Sequence, residues 1–135
     1  MWIEGEDPER HTFQKHSWYD DVRKEALSGR DWLSHYGPEP GEASYHFRVA
    51  REGRYSVWAR LNDLLVSQRC RIDGGEWKTC DLEADPRERI TISPRPDHRR
   101  IAWHRIAVAD LAEGEHRLES TPAAARAATA SSRGR

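Results

Sequence analysis

Apolar and polar residues alternate most regularly in the middle of the chain. A strand over 44–49 has its apolar residues on one face, and a strand over 55–61 does the same after a turn at Arg51-Glu52-Gly53. Successive side chains of a strand point to opposite faces, so this period of two predicts a hairpin with one apolar face. That face holds Tyr45, Phe47, Val49, Tyr55, Val57, Ala59 and Leu61. The opposite face is polar apart from one indole and holds His46, Arg48, Ser56, Trp58 and Arg60.

Further short strands are predicted on both sides of this region. A glycine-rich connection at Asp73-Gly74-Gly75 predicts a second hairpin, because tight hairpin turns need such residues. Its strands are predicted over 66–72 and 76–82, and others over 2–8, 88–92, 99–109 and 115–119. Residues 9–43 are irregular, apart from two helical turns predicted over 20–27. Many short strands without a long amphipathic helix predict an all-β, antiparallel β-sandwich, with a barrel as the alternative.

Composition indicates a small, aromatic core. The 135 residues suffice for about one domain. Only 21 of them are Leu, Ile, Val or Phe, yet the net charge is −1 and there are six tryptophans, which is unlike a disordered chain. The near-neutral charge and the lack of a long apolar run predict neither nucleic-acid nor membrane partners. The N-terminus also lacks the basic-then-apolar pattern of a signal peptide.

Five short motifs follow one another along most of the chain. They are Glu-Gly-Glu at 4–6, Ser-Gly-Arg-Asp-Trp-Leu at 28–33, Glu-Gly-Arg-Tyr-Ser-Val-Trp-Ala-Arg at 52–60, Ile-Asp-Gly-Gly-Glu-Trp at 72–77 and Ala-Glu-Gly-Glu-His-Arg-Leu at 112–118. In this order they resemble the motifs of carbohydrate-binding modules of the galactose-binding-like group, families 6, 35 and 36.

The resemblance implies a jelly-roll sandwich that binds a polysaccharide or oligosaccharide without catalysis. It also implies an extracellular or periplasmic location and a catalytic partner domain outside this chain, either a glycoside hydrolase or a polysaccharide lyase. Family members continue into a final strand with Asp between apolar residues, whereas this chain continues from Thr121 with small and polar residues. We therefore expect that strand to be missing or replaced, with a module over 1–120 and a disordered tail over 121–135.

Aromatic residues of the irregular stretch are the first ligand-binding candidates. Trp18, Trp32 and Tyr36 lie where side chains can project from loops. In the resembling modules an aromatic residue near the position of Trp32 lies at the binding cleft. The alternative is that these rings pack the loop against the small hydrophobic core. Trp103, on a late strand, is a further candidate, and the alternative for it is a position in the core.

A second set of candidates lies on the polar face of the strand over 55–61. Trp58 and Arg60 share that face, where an indole offers a flat surface to the apolar face of a sugar. The alternative is that residues 9–43 cover Trp58. Asn62 and Asp63 follow directly and either contact sugar hydroxyls or form a turn.

Glu4 and Glu6 are two residues apart on a predicted strand, so both carboxylates can converge on one cation. In the resembling modules two such glutamates help to hold a structural calcium ion. The alternative is a pair of solvated carboxylates.

Cys70 and Cys80 are too few for a zinc site and belong to the predicted second hairpin. A three-residue loop over 74–76 places Cys70 opposite Cys80 on the core face, whereas a two-residue loop places it opposite Thr79. The apolar residues favour the first register, in which the cysteines either form a disulfide or remain two buried thiols.

No catalytic motif is present in the sequence. It contains no Gly-x-Ser-x-Gly elbow, His-Glu-x-x-His motif or P-loop. We therefore predict that the chain is not an enzyme. The alternative to carbohydrate binding is a structural or protein-interaction sandwich within a larger enzyme.

Overall fold

The computed structural model describes residues 1–15, 21–35, 39–62, 68–80, 82, 86–93 and 99–122. Most of the regular structure in this part of the chain is β-strand, and one 3₁₀ turn spans Lys24–Ala26. The strands are β1 (Arg10–His11), β2 (Ala43–Val49), β3 (Gly53–Leu61), β4 (Gln68–Ile72), β5 (Lys78–Cys80), β6 (Arg87–Thr91), β7 (Arg100–Leu111) and β8 (Gly114–Pro122).

The strands form two antiparallel sheets that face each other. A five-stranded sheet has the order β1-β2-β8-β4-β5, and a three-stranded sheet has the order β3-β7-β6. Residues from both sheets meet in one apolar cluster, which consists of Cys70, Cys80 and Leu82 with Leu61, Ile106, Ala107 and Leu118 against them. The all-β sandwich predicted from strand periodicity is therefore confirmed.

The predicted hairpin between 44–49 and 55–61 is wrong, although both strands exist. β2 pairs with β8 in the five-stranded sheet, and β3 pairs with β7 in the three-stranded sheet. Each strand buries an apolar face in the same interior, so alternation alone does not distinguish a hairpin from a crossover between sheets. The chain passes from one sheet to the other through the exposed residues 50–52, where the turn was predicted.

A bulge in β7 divides the three-stranded sheet into two parts with different register. Val57 of β3 lies opposite Ala107, whereas Trp58 lies opposite Arg105, so Ile106 is the extra residue. Such a bulge re-aims the side chains that follow it. Ile106 itself packs into the cluster between the sheets.

The bulge determines which side chains of β7 face outward. Ala102 and His104 turn inward and are fully buried. Trp103 lies between them in sequence and directly opposite Arg60 of β3. Because strand side chains alternate, Trp103 and Arg60 lie together on the outer face of the three-stranded sheet.

The N-terminal segment differs from its prediction. Residues 2–8 form no strand, and the Asp7 N–H instead donates to the Glu4 carbonyl in a turn, 3.1 Å away. The predicted helical turns over 20–27 reduce to the single 3₁₀ turn. The segment around that turn covers part of the three-stranded sheet through an apolar cluster of Leu27, Ile92 and Ile101, with Val22, Ala26, Trp32 and Ile90 against it.

The hairpin of β4 and β5 exists, but neither predicted register is correct. Cys70 lies opposite Lys78, and Cys80 lies opposite Gln68. The tight turn is at Asp73-Gly74, where both residues have positive φ values of 53° and 71°. This geometry is typical of a type I′ turn, and an extra residue then precedes β5, which shifts the pairing. The two thiols still share the buried face, and both are free.

The end of β8 lies beyond the predicted module boundary. Thr121 is buried, and its hydroxyl donates to the Gly41 carbonyl at 2.7 Å. The rest of the predicted tail, 123–135, lies outside the described residues. In the described part of the chain, no helix has the length and apolar character needed to cross a membrane.

Candidate functional site

The outer face of the three-stranded sheet carries a shallow open depression of about 380 Å³. Its lining consists of Trp58, Arg87, Glu88 and Trp103, and we call it the two-tryptophan depression. All three strands of the sheet contribute, since these residues come from β3, β6 and β7. Two tryptophans, an arginine and a glutamate therefore surround one open space.

Strand register brings the two indoles together. Trp103 lies opposite Arg60 on one side and opposite Arg87 on the other. Trp58 lies two residues before Arg60 on the same face of β3, which makes it a diagonal neighbour of Trp103. Both indoles are half-buried, so each ring is supported by the sheet and keeps part of its surface exposed.

Cations and a third indole hold the two rings in place. The Arg87 guanidinium lies over the Trp58 ring at 4.9 Å, and that of Arg60 lies 5.9 Å from the Trp103 ring centre. Trp2 packs edge-on against Trp103, with ring centroids 5.6 Å apart and planes inclined by 66°. Cation–π contacts of this kind stabilise exposed sites by about 0.5–1 kcal/mol. The rings are therefore oriented before any ligand arrives.

Glu88 enters the depression through a bulge in β6. Arg87 lies opposite Trp103 and Ile90 lies opposite Ile101, so two residues of β6 face one residue of β7. Glu88 has a φ of 53°, in the left-handed region that glycine occupies most readily. The register change allows Arg87 and Glu88, although adjacent in sequence, to line the same space.

The predicted ligand-binding residues fall into three groups. Trp58, Arg60 and Trp103 lie together at the two-tryptophan depression. Trp32 instead packs against the cluster that contains Leu27, and Asn62 follows β3 in a half-buried position. Trp18, Tyr36 and Asp63 lie outside the described residues.

Glu4 and Glu6 converge beside the chain at Ser28-Gly29. The Glu4 carboxylate accepts hydrogen bonds from the Trp2 indole at 2.9 Å and from the Ser28 hydroxyl at 2.7 Å. A Cβ atom on Gly29 would lie only 1.7 Å from a Glu6 carboxylate oxygen, so the side chain of Glu6 lies closely over this glycine. Burial raises the pKa of the nearby Tyr45 to about 12, and the Glu6 charge adds to that shift.

The hydrogen bonds of Glu4 limit what this carboxylate can offer to the predicted calcium ion. Calcium takes six to eight oxygen ligands. Two converging carboxylates supply part of such a set, but both oxygens of Glu4 already accept hydrogen bonds. Within the described ranges, no group of three or more His, Cys, Asp or Glu residues is placed to hold a metal ion. The calcium site at Glu4 and Glu6 therefore stays a prediction.

A short contact between two titratable side chains lies away from the depression, at the start of β8. The His116 ring contacts the Asp73 carboxylate at 2.6 Å and the Ala112 carbonyl at 2.7 Å. The hydrogen bond to Ala112 and that to Asp73 raise the pKa of His116. Partial burial opposes ionisation of Asp73, but hydrogen bonds from His116 and the Arg117 N–H outweigh it and lower the pKa of Asp73. This pair connects the β4–β5 turn to β8.

Sequence reasoning missed Arg87 and Glu88, which line the depression, and Trp2, which packs against Trp103. Trp2 had been assigned to a strand, and no pattern in a single sequence shows that it reaches Trp103. Arg87 and Glu88 are ordinary charged residues in a charged segment. Their importance comes from the bulge in β6, which has no glycine to indicate it.

Comparison of the chain with protein-family models, with curated proteins and with solved structures finds no match.

Proposed function

We propose that this chain is a non-catalytic carbohydrate-binding module and that it binds a polysaccharide or oligosaccharide at the two-tryptophan depression. The observation that supports this most directly is the placement of two half-buried tryptophans, with Arg87 and Glu88, around one open space. A sugar ring has apolar C–H faces and polar hydroxyl edges, so its site needs flat aromatic surfaces flanked by donors and acceptors.

The shape of the depression is better suited to a polymer than to a small molecule that a closed pocket would surround. It is shallow and open, so a bound sugar ring can continue into further residues on either side. An accessory module of a glycoside hydrolase or polysaccharide lyase needs such an opening, because its ligand is longer than its site. The jelly-roll topology and the catalytic partner domain belong to this same proposal.

The opposite surface of the sandwich is chemically different. On the five-stranded sheet, Glu115 pairs with Arg48 and His46, each at 3.1 Å, and Arg71 pairs with Glu119 at 3.0 Å. These charges pair with one another across the strands, and the one described indole beside them, Trp77, is covered by the guanidinium groups of Arg69 and Arg71. The three-stranded sheet is therefore the better candidate for a sugar-binding face.

Titration of the best hit from a glycan array tests the proposal. Loss of an aromatic hot spot costs about 1–3 kcal/mol, so Trp58→Ala and Trp103→Ala should each weaken binding by roughly 5- to 150-fold. Trp77→Ala is the matched control, because Trp77 stacks with Arg69 and Arg71 on the other sheet. Equal affinity in the folded Trp58 and Trp103 variants would place the glycan elsewhere.

Docking to a neighbouring protein domain is the second candidate function. Trp2 is 61% exposed although it packs on Trp103, and Met1, Ile3 and Val108 are also exposed apolar residues. Exposed apolar surface of this kind can mark a protein contact. A folded chain that is retained by no polysaccharide on the array would favour this candidate over carbohydrate binding.

A further inference from the structure

Glu88 occupies a backbone position that its residue type disfavours. Its φ of 53° is left-handed, and the Cβ of an ordinary L-residue is crowded in that conformation. At this kind of bulge the left-handed residue is most often glycine. A glutamate here destabilises the fold relative to glycine, so the side chain needs an explanation.

Contacts inside the protein do not supply that explanation. Glu88 is exposed on β6, and no described residue forms a hydrogen bond or ion pair with its carboxylate. The residue instead lines the two-tryptophan depression. Strained residues of this kind concentrate at binding sites, where the surrounding structure maintains them.

The bulge also changes what the depression can recognise. In a regular strand, adjacent residues point to opposite faces, so Arg87 and Glu88 could not both face one ligand. With the bulge, Arg87 and Glu88 both line the depression, and the Arg87 guanidinium lies over the Trp58 ring. Arginine can only donate hydrogen bonds, and an ionised glutamate can only accept them.

We propose that Glu88 is the specificity-determining residue of the two-tryptophan depression and selects a neutral sugar with two adjacent hydroxyl groups. One hydroxyl accepts from Arg87, and its neighbour donates to Glu88, while the sugar face lies on an indole. A carboxylate or sulfate group in place of the hydroxyl that faces Glu88 cannot donate a hydrogen bond and meets the negative charge of Glu88, so it binds more weakly. This inference rests on the proposed carbohydrate-binding function and names the class of sugar.

Two substitutions distinguish the effect of the Glu88 carboxylate on binding from the effect of the strained backbone on stability. Glu88→Gly removes both, and Glu88→Gln keeps the side-chain size and the strain but removes the charge. We expect Glu88→Gly to raise the melting temperature while weakening binding of the best neutral glycan by at least about tenfold, since hydrogen bonds to charged groups are among the stronger ones. Glu88→Gln should weaken that binding without raising the melting temperature.

The matched control and ligand complete the test. Glu76→Gln removes an exposed carboxylate from the β4–β5 connection and should leave binding unchanged. The uronate analogue of the best neutral glycan should bind wild type more weakly than the neutral form, and Glu88→Gln should reduce this difference. If wild type binds the glycan and both Glu88 variants bind it with the same affinity, the proposed role of Glu88 is wrong, but the proposed carbohydrate-binding function is not affected. A wild type that retains no glycan overturns the proposed function and this inference together.

Discussion

Cys70 and Cys80 lie diagonally across β4 and β5, with Sγ atoms 3.7 Å apart. The Cys70 thiol also lies 3.5 Å from the carbonyl of Ile106, the bulged residue of β7, so the pair connects the two sheets. The hydrogen bond from Cys80 lowers the pKa of Cys70, and donating that bond raises the pKa of Cys80. The two residues therefore form a buried thiol pair and not two independent core side chains.

The buried thiol pair should be protected from reagents. Both side chains are almost completely buried. We expect a thiol reagent to label neither cysteine in the native protein and both after unfolding, when the protein is prepared under reducing conditions. Protein prepared without reductant that shows no reactive thiol after unfolding would contain the disulfide instead.

Substitution of the buried thiol pair gives a second measurement of its contribution. Cys80→Ser replaces a weak donor with a hydroxyl in an apolar site and should lower the free energy of unfolding by about 1–3 kcal/mol. Urea unfolding of both proteins under reducing conditions measures the difference. Unchanged stability would contradict the buried position of Cys80.

Stability should depend on pH through Asp73 and His116. The raised pKa of His116 means that its contribution is present at low pH and is lost as the pH rises through the folded-state value, above 6.5. The lowered pKa of Asp73 means that its contribution is lost as the pH falls below 3.8. Glu115 and Arg117 also act on the pair. The interaction between Asp73 and His116 is therefore strongest at pH values above the folded-state pKa of Asp73 and below that of His116.

The pH dependence is measured by urea unfolding at a series of pH values. His116→Gln should remove the loss of stability that wild type shows as the pH rises through the raised pKa of His116. His46→Gln is the control, because His46 also contacts a glutamate but is half exposed on the outer face of the same sheet. The interpretation fails if His116→Gln retains the wild-type pH profile.

Trp32 should contribute more to stability than to glycan binding. It packs against the apolar cluster of Leu27, Ile92 and Ile101. Because the ring is only half-buried, Trp32→Ala should lower the free energy of unfolding by about 2–4 kcal/mol, somewhat less than a fully buried aromatic. Thermal melting and glycan titration of the same variant separate the two roles. Weaker glycan binding with unchanged stability would support the original ligand-binding prediction.

Calcium, if the predicted site forms, should stabilise the fold through Glu4 and Glu6. A ligand that binds only the native state raises stability by RT ln(1 + [L]/Kd). Melting temperatures in calcium and in chelator should then differ, and Glu6→Gln should abolish the difference. Gly29→Ala should do the same, because its Cβ would displace the Glu6 carboxylate. Identical wild-type curves in both buffers would rule out this calcium site.

Local signals in the sequence were sufficient for most strands. Alternation between Tyr45 and Val49 and between Tyr55 and Leu61 located β2 and β3 because strand side chains alternate with a period of two. The same alternation placed Trp58 and Arg60 on the face opposite the core. Glycine in the sequence Asp73-Gly74-Gly75 located the turn between β4 and β5. These features depend on neighbouring residues, and a single sequence contains them.

Pairing and site assembly depended on contacts between distant residues. Nothing local to β2 selects β8 over β3 as its partner, since both choices bury the same apolar face. The bulges at Ile106 and Glu88 shift register by single residues without a glycine to indicate them, yet they decide that Trp103, Arg87 and Glu88 meet Trp58. The sequence by itself determined which residues form strands and which faces are apolar. Only the tertiary structure decided the partners, because that choice depends on packing across the whole interior.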